Sequence, residues 1–183
     1  MRADAERNRV KVLEAAMAAF ESDGLSVSVA EIGRRAGVGT GTVSRHFPTK
    51  ESLYEAIVLA RVTEIVGHAR DLLATRDPAA AFFEFFAYMV GQAAANRGLA
   101  EALSGGGYDI EAAAGRTEHG LEDVENELLT RAQRAGAVRA DVTNADVKAL
   151  VVACLVRERR PPDEVARHRM IDIASAGLRP ATG

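Results

Sequence analysis

Residues 28–50 read SVAEIGRRAGVGTGTVSRHFPTK, and this stretch decides what kind of fold the chain builds. Ser28 stands three residues before Glu31, the spacing of a capping box: the hydroxyl accepts from the Glu31 N–H and the carboxylate reaches back. Ile32 and Ala36 lie one turn apart on one face of the short helix that follows. Gly37-Val38-Gly39 breaks that helix, because glycine tolerates the positive φ of a sharp turn, and Val38 is expected to plug inward. A second helix is predicted from Thr40, with Val43 and Phe47 as its buried side. Thr40, Thr42, Ser44, Arg45 and His46 are left facing outward, and Pro48 stops the helix. From Arg34 to Lys50 there are four Arg/Lys and no acid. Two short helices around a glycine turn, the second offering small hydroxyls and cations, form the geometry that lays a helix in a DNA major groove.

Charge supports this only when read locally. The chain of 183 residues has a formal net charge of −3, which by itself argues against nucleic acid. Residues 1–61, however, hold nine Lys/Arg against eight Asp/Glu, whereas residues 62–183 hold 14 against 18. Positive charge is concentrated where a docking face needs it. The apolar content of 48% is rich in alanine, with 5% aromatic residues and five prolines, which points to helices rather than sheets. Cys154 is the single cysteine, so intrachain disulfides and cysteine metal clusters are excluded. The start, MRADAERNRV, lacks an apolar signal core, and the apolar run Ala149 to Val156 is far shorter than the roughly 20 residues a membrane helix needs. A soluble, cytoplasmic protein without membrane contact is the expectation.

Working outward, Val10, Leu13, Met17 and Phe20 recur at helical spacing and predict a first helix from about Glu6 to Ser22, ended by Asp23-Gly24. Thr49 is the predicted N-cap of a long helix through Leu53, Ile57 and Ala60 to about Ala74, with Gly67 a place where it can bend. Asp77-Pro78 opens a helix from Pro78 to Ala95, closed by Asn96-Arg97-Gly98. Leu99 to Leu103 is read as a helical turn before the loop from Ser104 to Gly107. Further helices are predicted from about Ile110 to Ala135, from Asn144 as cap to about Arg157, and from about Asp163 to Ala176 after Pro161-Pro162. No alternating strand pattern, internal repeat or low-complexity tract interrupts this. The seam between the two parts is the shared long helix rather than a linker, so they are expected to be mechanically connected.

The run Ala15-Ala16, Phe20, Gly24, Val29-Ala30-Glu31-Ile32, Ala36-Gly37-Val38, Gly41-Thr42, His46-Phe47, Lys50-Glu51 and Leu53 resembles the N-terminal domain of tetracycline-repressor (TetR) family transcription regulators over about residues 6–60. The stretch from Leu128 to Val142 is similar to a segment of the body of many such regulators. The resemblance implies an all-α homodimer: a three-helix DNA-binding head at about residues 5–65 on a helical body, residues 66–183, that binds a small molecule and dimerises. It implies that the outward residues Thr40, Thr42, Ser44, Arg45 and His46 meet DNA. Lys50, with the backbone N–H groups of the helix start, is expected to grip a phosphate. Two departures stand out. Ser44 occupies a place where the family usually has an aromatic residue, commonly Tyr, and Gly39 replaces a frequent Ser. For His46, DNA contact and packing in the head both remain open.

In the body, Phe82, Phe83, Phe85, Phe86, Tyr88 and Met89 wrap more than one face of a helix. Ordinary core is the default for each; an apolar ligand pocket bordered by Phe82, Phe83, Phe86 and Met89, with Tyr108 and His119 as polar contacts, is the sharper reading. Two stripes near the C-terminus stand out: Val147, Leu150, Val151, Cys154 and Leu155, and Ala166, Met170, Ile173, Ala174 and Gly177. They either cover the body's own core or build a two-fold four-helix interface in which Leu150, Val151, Cys154, Met170, Ile173 and Ala174 take part.

Enzyme signals are poor. His46, His68, His119 and His168 are scattered, and no H-E-x-x-H metal motif occurs. Gly37-Val38-Gly39-Thr40-Gly41 follows a helix and lacks the spacing of a nucleotide loop; Ser104 beside three glycines lacks the G-x-S-x-G frame. No cofactor is called for. The expected function is a dimeric transcriptional repressor on a near-palindromic operator in double-stranded DNA, released by a hydrophobic small molecule. The competing reading is a dimeric small-molecule-binding or scaffold protein whose head no longer binds DNA, suggested by Ser44.

Overall fold

The computed structural model describes residues 2–97, 99–100, 104, 120–156 and 163–181, and among these there is no strand. The helices are α1 (Arg2–Asp23), α2 (Val29–Ala36), α3 (Thr40–His46), α4 (Lys50–Thr75), α5 (Pro78–Ala95), α6 (Leu121–Arg134), α7 (Asn144–Val156) and α8 (Glu164–Leu178). Contacts group them into two compact units. The first is built on α1–α3 and α4 as far as Val62; the second takes α4 from Thr63 together with α5–α8.

In the first unit α1 packs on α2 and α3. Its buried face is Val12, Leu13, Ala16, Ala19 and Phe20, whereas Val10 is 44% exposed. The expected stripe through Val10 is therefore rotated. The alanines, having no bulk, let the neighbouring helices come close, and the core row runs through them. Ile32, Val43, Phe47, Leu53 and Ile57 complete this core, and Phe20 meets Tyr54 edge to face at 5.4 Å. Burying one such side chain fully contributes roughly 1.5–3 kcal/mol. No helix among the described residues is long and apolar enough to cross a membrane.

The starts of the helices follow the sequence with informative exceptions. Thr49 and Ser52 cap α4 reciprocally, Oγ1 of Thr49 accepting from the Ser52 N–H at 3.0 Å and Oγ of Ser52 from the Thr49 N–H at 3.2 Å. Asp77 Oδ1 accepts from the N–H groups of Ala79 and Ala80, each at 3.0 Å, at the start of α5. At α7 the cap is Thr143 rather than Asn144: its Oγ1 accepts from the Asp146 N–H at 3.3 Å, while Asp146 Oδ2 accepts from the Thr143 N–H at 2.8 Å. The side chain of Asn144 is engaged elsewhere, donating to Glu125 Oε2 at 3.1 Å. The single helix expected over 110–135 is also revised. Gly120 has φ +65°, outside helical space, and α6 starts after it at Leu121; residues 110–119 lie outside the described residues, as do 98, 101–103 and 105–107.

In the second unit α5 contacts α6, α7 and α8. Phe86 and Val90 of α5 form a buried cluster with Val151 and Cys154 of α7. Leu150, Met170 and Ala174 pack around that cluster. Glu125 on α6, only 7% exposed, has its carboxylate held by Asn144 and by Lys148 Nζ at 3.2 Å, so a buried charge is paired between α6 and α7. Gln133 donates from Nε2 to the carbonyls of Arg139 and Val142 at 3.0 and 2.8 Å, which fixes the turn between those helices.

Candidate DNA interface

The turn between α2 and α3 is set by one residue. Gly37 has φ +68°, and its N–H donates to the Arg34 carbonyl at 3.2 Å. Gly39, by contrast, is extended at φ −70° and is the N-cap of α3, where it offers no side-chain bond. The reason the helices fit together lies at Gly33. A Cβ there would stand 3.0 Å from the Val38 carbonyl oxygen and 3.3 Å from Val43 Cγ2, so α2 approaches the turn and α3 at backbone distance.

The capping box at Ser28 is half made. Ser28 Oγ accepts from the Glu31 N–H at 3.2 Å, as the spacing predicts. The Glu31 carboxylate does not reach back; two guanidinium groups claim it. Arg34 donates from Nε to Oε2 and from Nη2 to Oε1, both at 2.7 Å, and Arg35 donates from Nε to Oε1 at 2.8 Å. Charge-assisted forks of this kind are stronger than a bond to a neutral backbone N–H. Arg34 first, then Arg35, hold the Glu31 carboxyl down at about 2. Arg35 also reaches back to α1, bonding Ser22 Oγ at 3.3 Å and pairing with Asp23.

Of the four cations between residues 34 and 50, three are thus engaged inside the head. Besides Arg34 and Arg35, Lys50 donates from Nζ to the Leu25 carbonyl at 3.0 Å. Arg45 is exposed and has no polar partner among the described residues. Thr40, Gly41 and Ser44 are exposed beside it, and Thr42 is half-buried. His46 is half-buried and tilted against the Phe47 ring, centroids 6.3 Å apart, while the Arg9 guanidinium lies 5.6 Å from the centre of the same ring. The outward face of α3 therefore carries hydroxyls, a glycine and one unengaged cation.

A family model described as bacterial regulatory proteins, tetR family, matches residues 12–57. A second, described as the C-terminal domain of SbtR-like transcriptional regulators, matches residues 77–180, and a TetR transcription regulatory protein of known structure from Mycobacterium vanbaalenii is 48% identical. This chain belongs to the TetR family of transcription regulators. The alignment with the Mycobacterium structure covers 98% of this chain and 99% of that one, with a TM-score of 0.75. A TetR transcriptional regulator from Streptomyces coelicolor is 31% identical over 95% of this chain and 99% of its own, with a TM-score of 0.76. No curated protein sequence matches. TetR regulators are DNA-binding transcription factors rather than enzymes, with an N-terminal helix-turn-helix followed by a helical C-terminal domain. Here that helix-turn-helix is α2 and α3.

The body residues singled out by the sequence are placed less uniformly. Phe82 and Phe86 are buried, while Phe83 and Met89 are half-buried; Tyr108 and His119 lie outside the described residues. The Arg179 guanidinium covers the Phe83 ring at 4.0 Å, and Tyr88 lies 4.1 Å from the His68 ring. Of the residues expected at an interface, Val151 and Cys154 are turned inward onto Phe86 and Val90, and Leu150, Met170 and Ala174 flank them. Ile173 alone of that set is fully outward, at 60% exposure. The large apolar side chains that do face outward from α7 and α8 are Val152, Val156, Val165 and Ile173. Periodicity pointed at the inner stripe because α7 is apolar nearly all round.

Proposed function

We propose that this TetR-family regulator is a homodimeric repressor that binds a near-palindromic operator through α3 and is released by an uncharged or weakly polar hydrophobic ligand. One observation carries the DNA half: α3 turns Thr40, Ser44 and Arg45 outward together, and Arg45 has no polar partner among the described residues. Thr40, Thr42 and Ser44 are assigned to base edges or phosphates, Arg45 and Lys50 to phosphates, and His46 to the rim of the contact, within a head at residues 5–65. Lys50 keeps donors to spare beyond the one given to Leu25, because an ammonium has three.

The body, residues 66–183, is assigned the ligand, with Phe82, Phe83, Phe86 and Met89 bordering an apolar site and Tyr108 and His119 as its polar contacts. Dimerisation is assigned to the outward apolar residues of α7 and α8. Because α4 contributes residues to both units, a ligand that displaces its second half acts on the head. Two α3 helices must reach half-sites about 34–36 Å apart, so a modest tilt abolishes simultaneous docking. Ligand and operator then oppose each other by about 1–3 kcal/mol, the range of typical allosteric coupling.

The test is selection of bound fragments from genomic DNA with purified protein, followed by titration of the complex with compounds that raise its melting temperature. A two-fold symmetric site released by such a compound supports the reading. Failure to select any sequence over random duplex leaves the alternative of a small-molecule-binding protein with a silent head. Ligand binding without loss of operator affinity removes the coupling and leaves the DNA assignment.

A further inference from the structure

Among the described residues the large exposed apolar side chains are Val10, Val152, Val156, Val165 and Ile173, and all but Val10 lie on α7 and α8. An apolar face alone does not say what covers it. The charges on α8 do.

The exposed stripe of α8 runs through Val165, Arg169, Asp172 and Ala176. Their spacing of four, three and four residues keeps them on one side of the helix and reads the same in both directions. Arg169 and Asp172 have no ion-pair or hydrogen-bond partner among the described residues. A second α8 laid antiparallel across this stripe, with the two-fold axis between residues 170 and 171, brings each Arg169 against Asp172 of the other copy. The same operation sets each Val165 against Ala176. The stripe is thus complementary to itself in charge and in apolar character, the property an isologous contact requires. A different partner has no need of a pattern that is symmetric under reversal.

We infer that α8 pairs antiparallel with the α8 of a second copy of this chain, in the register that forms two symmetric Arg169–Asp172 ion pairs across the two-fold axis. This rests on the homodimer reading above and adds a register to it.

The experiment uses the full chain in sedimentation equilibrium, with Arg169→Glu and Asp172→Arg made singly, in combination, and mixed with each other. Each single reversal sets like charges together at both symmetric positions, and the dimer dissociation constant should rise about tenfold or more. The combined variant restores both pairs and should return to within a few-fold of the wild type. Mixing the two single variants should produce a heterodimer, because each cross-pair again joins one acid to one base. That rescue cannot come from misfolded protein, and far-UV circular dichroism of each variant confirms the helices. A wild-type dimer whose constant ignores the single reversals, or a mixture that fails to associate, overturns the register and leaves the homodimer. A wild type that is monomeric at the concentrations where it binds operator overturns both.

Discussion

Lys50, the first residue of α4, donates from Nζ to the carbonyl oxygen of Leu25 at 3.0 Å, closing a link to a residue 25 positions earlier in the turn between α1 and α2. The side chain expected to grip a phosphate therefore also holds the head together. Lys50→Met should lower stability by about 1.5–3 kcal/mol, the scale of a hydrogen bond made by a charged group. It should also reduce the log–log salt slope of operator binding by about 0.9 for the lost phosphate contact. Arg45→Ala should give the same change of slope with stability unaltered, since no internal partner is lost. Calorimetry beside binding isotherms at several salt concentrations separates the two. A Lys50 variant with unchanged slope assigns that lysine to structure alone.

Two glycines of the helix-turn-helix should respond to alanine in opposite senses. At Gly33 the new methyl meets the Val38 carbonyl at 3.0 Å and Val43 at 3.3 Å, so Gly33→Ala forces α2 off the turn and should cost about 1–3 kcal/mol. At Gly41 nothing lies within 4 Å of the added atom. Gly41→Ala should stabilise the head by about 0.5–1 kcal/mol through helix propensity, while weakening operator binding if α3 approaches the groove at backbone distance. A melting curve and a DNA titration of the same sample read both effects. Equal affinity for the wild type and Gly41→Ala would place that backbone away from the DNA.

Acid should loosen the head through Glu31. Its carboxyl is held down at about 2 by Arg34 and then Arg35, below the ordinary 4.5. A depressed acid contributes stability above its unfolded value, and that contribution disappears as pH falls from about 4.5 through about 2. In the body, Asp141, held low by Arg139, and Asp146, held low by Thr143, shift stability with pH in the same direction. Glu31→Gln should flatten the decline of melting temperature across that interval. An unchanged pH profile in the variant would show that the fork to Arg34 contributes nothing to folding in solution.

The thiol of Cys154 is 1% exposed, and burial raises its pKa above the usual value. It should label slowly with a thiol reagent in the native protein and at once in denaturant, reporting the opening of the cluster around Phe86 and Val90. Cys154→Ser leaves a hydroxyl in apolar surroundings and should cost about 1–3 kcal/mol. Labelling of the folded chain at the rate of a free thiol would contradict the inward orientation of α7.

Much of the head was readable because its physics is local. The Ser28 cap, the Gly37 turn and the burial of Ile32, Val43 and Phe47 all follow from spacing within a few residues. Partners distant in sequence were not readable. Nothing near Lys50 announces Leu25, and the competition that draws Glu31 away from its own helix start is decided by where the two arginines fall. On α7 the failure has another cause. Ala145, Ala149, Val152, Ala153 and Val156 are apolar on the outside just as Val151 and Cys154 are on the inside, so a hydrophobic pattern gives the helix no preferred direction. Which stripe faces inward depends on α5, and only three-dimensional packing supplies that.

The separation of labour on α3 bears on how this regulator changes over generations. Val43 and Phe47 are buried and hold the helix in place, while Thr40, Ser44 and Arg45 are exposed. Substitutions at such surface positions typically shift stability by less than about 0.5 kcal/mol. On the proposed reading of α3, a duplicated gene can explore new operators by drifting at three codons without passing through unfolded intermediates. Ser44, exposed on that face, is one such position.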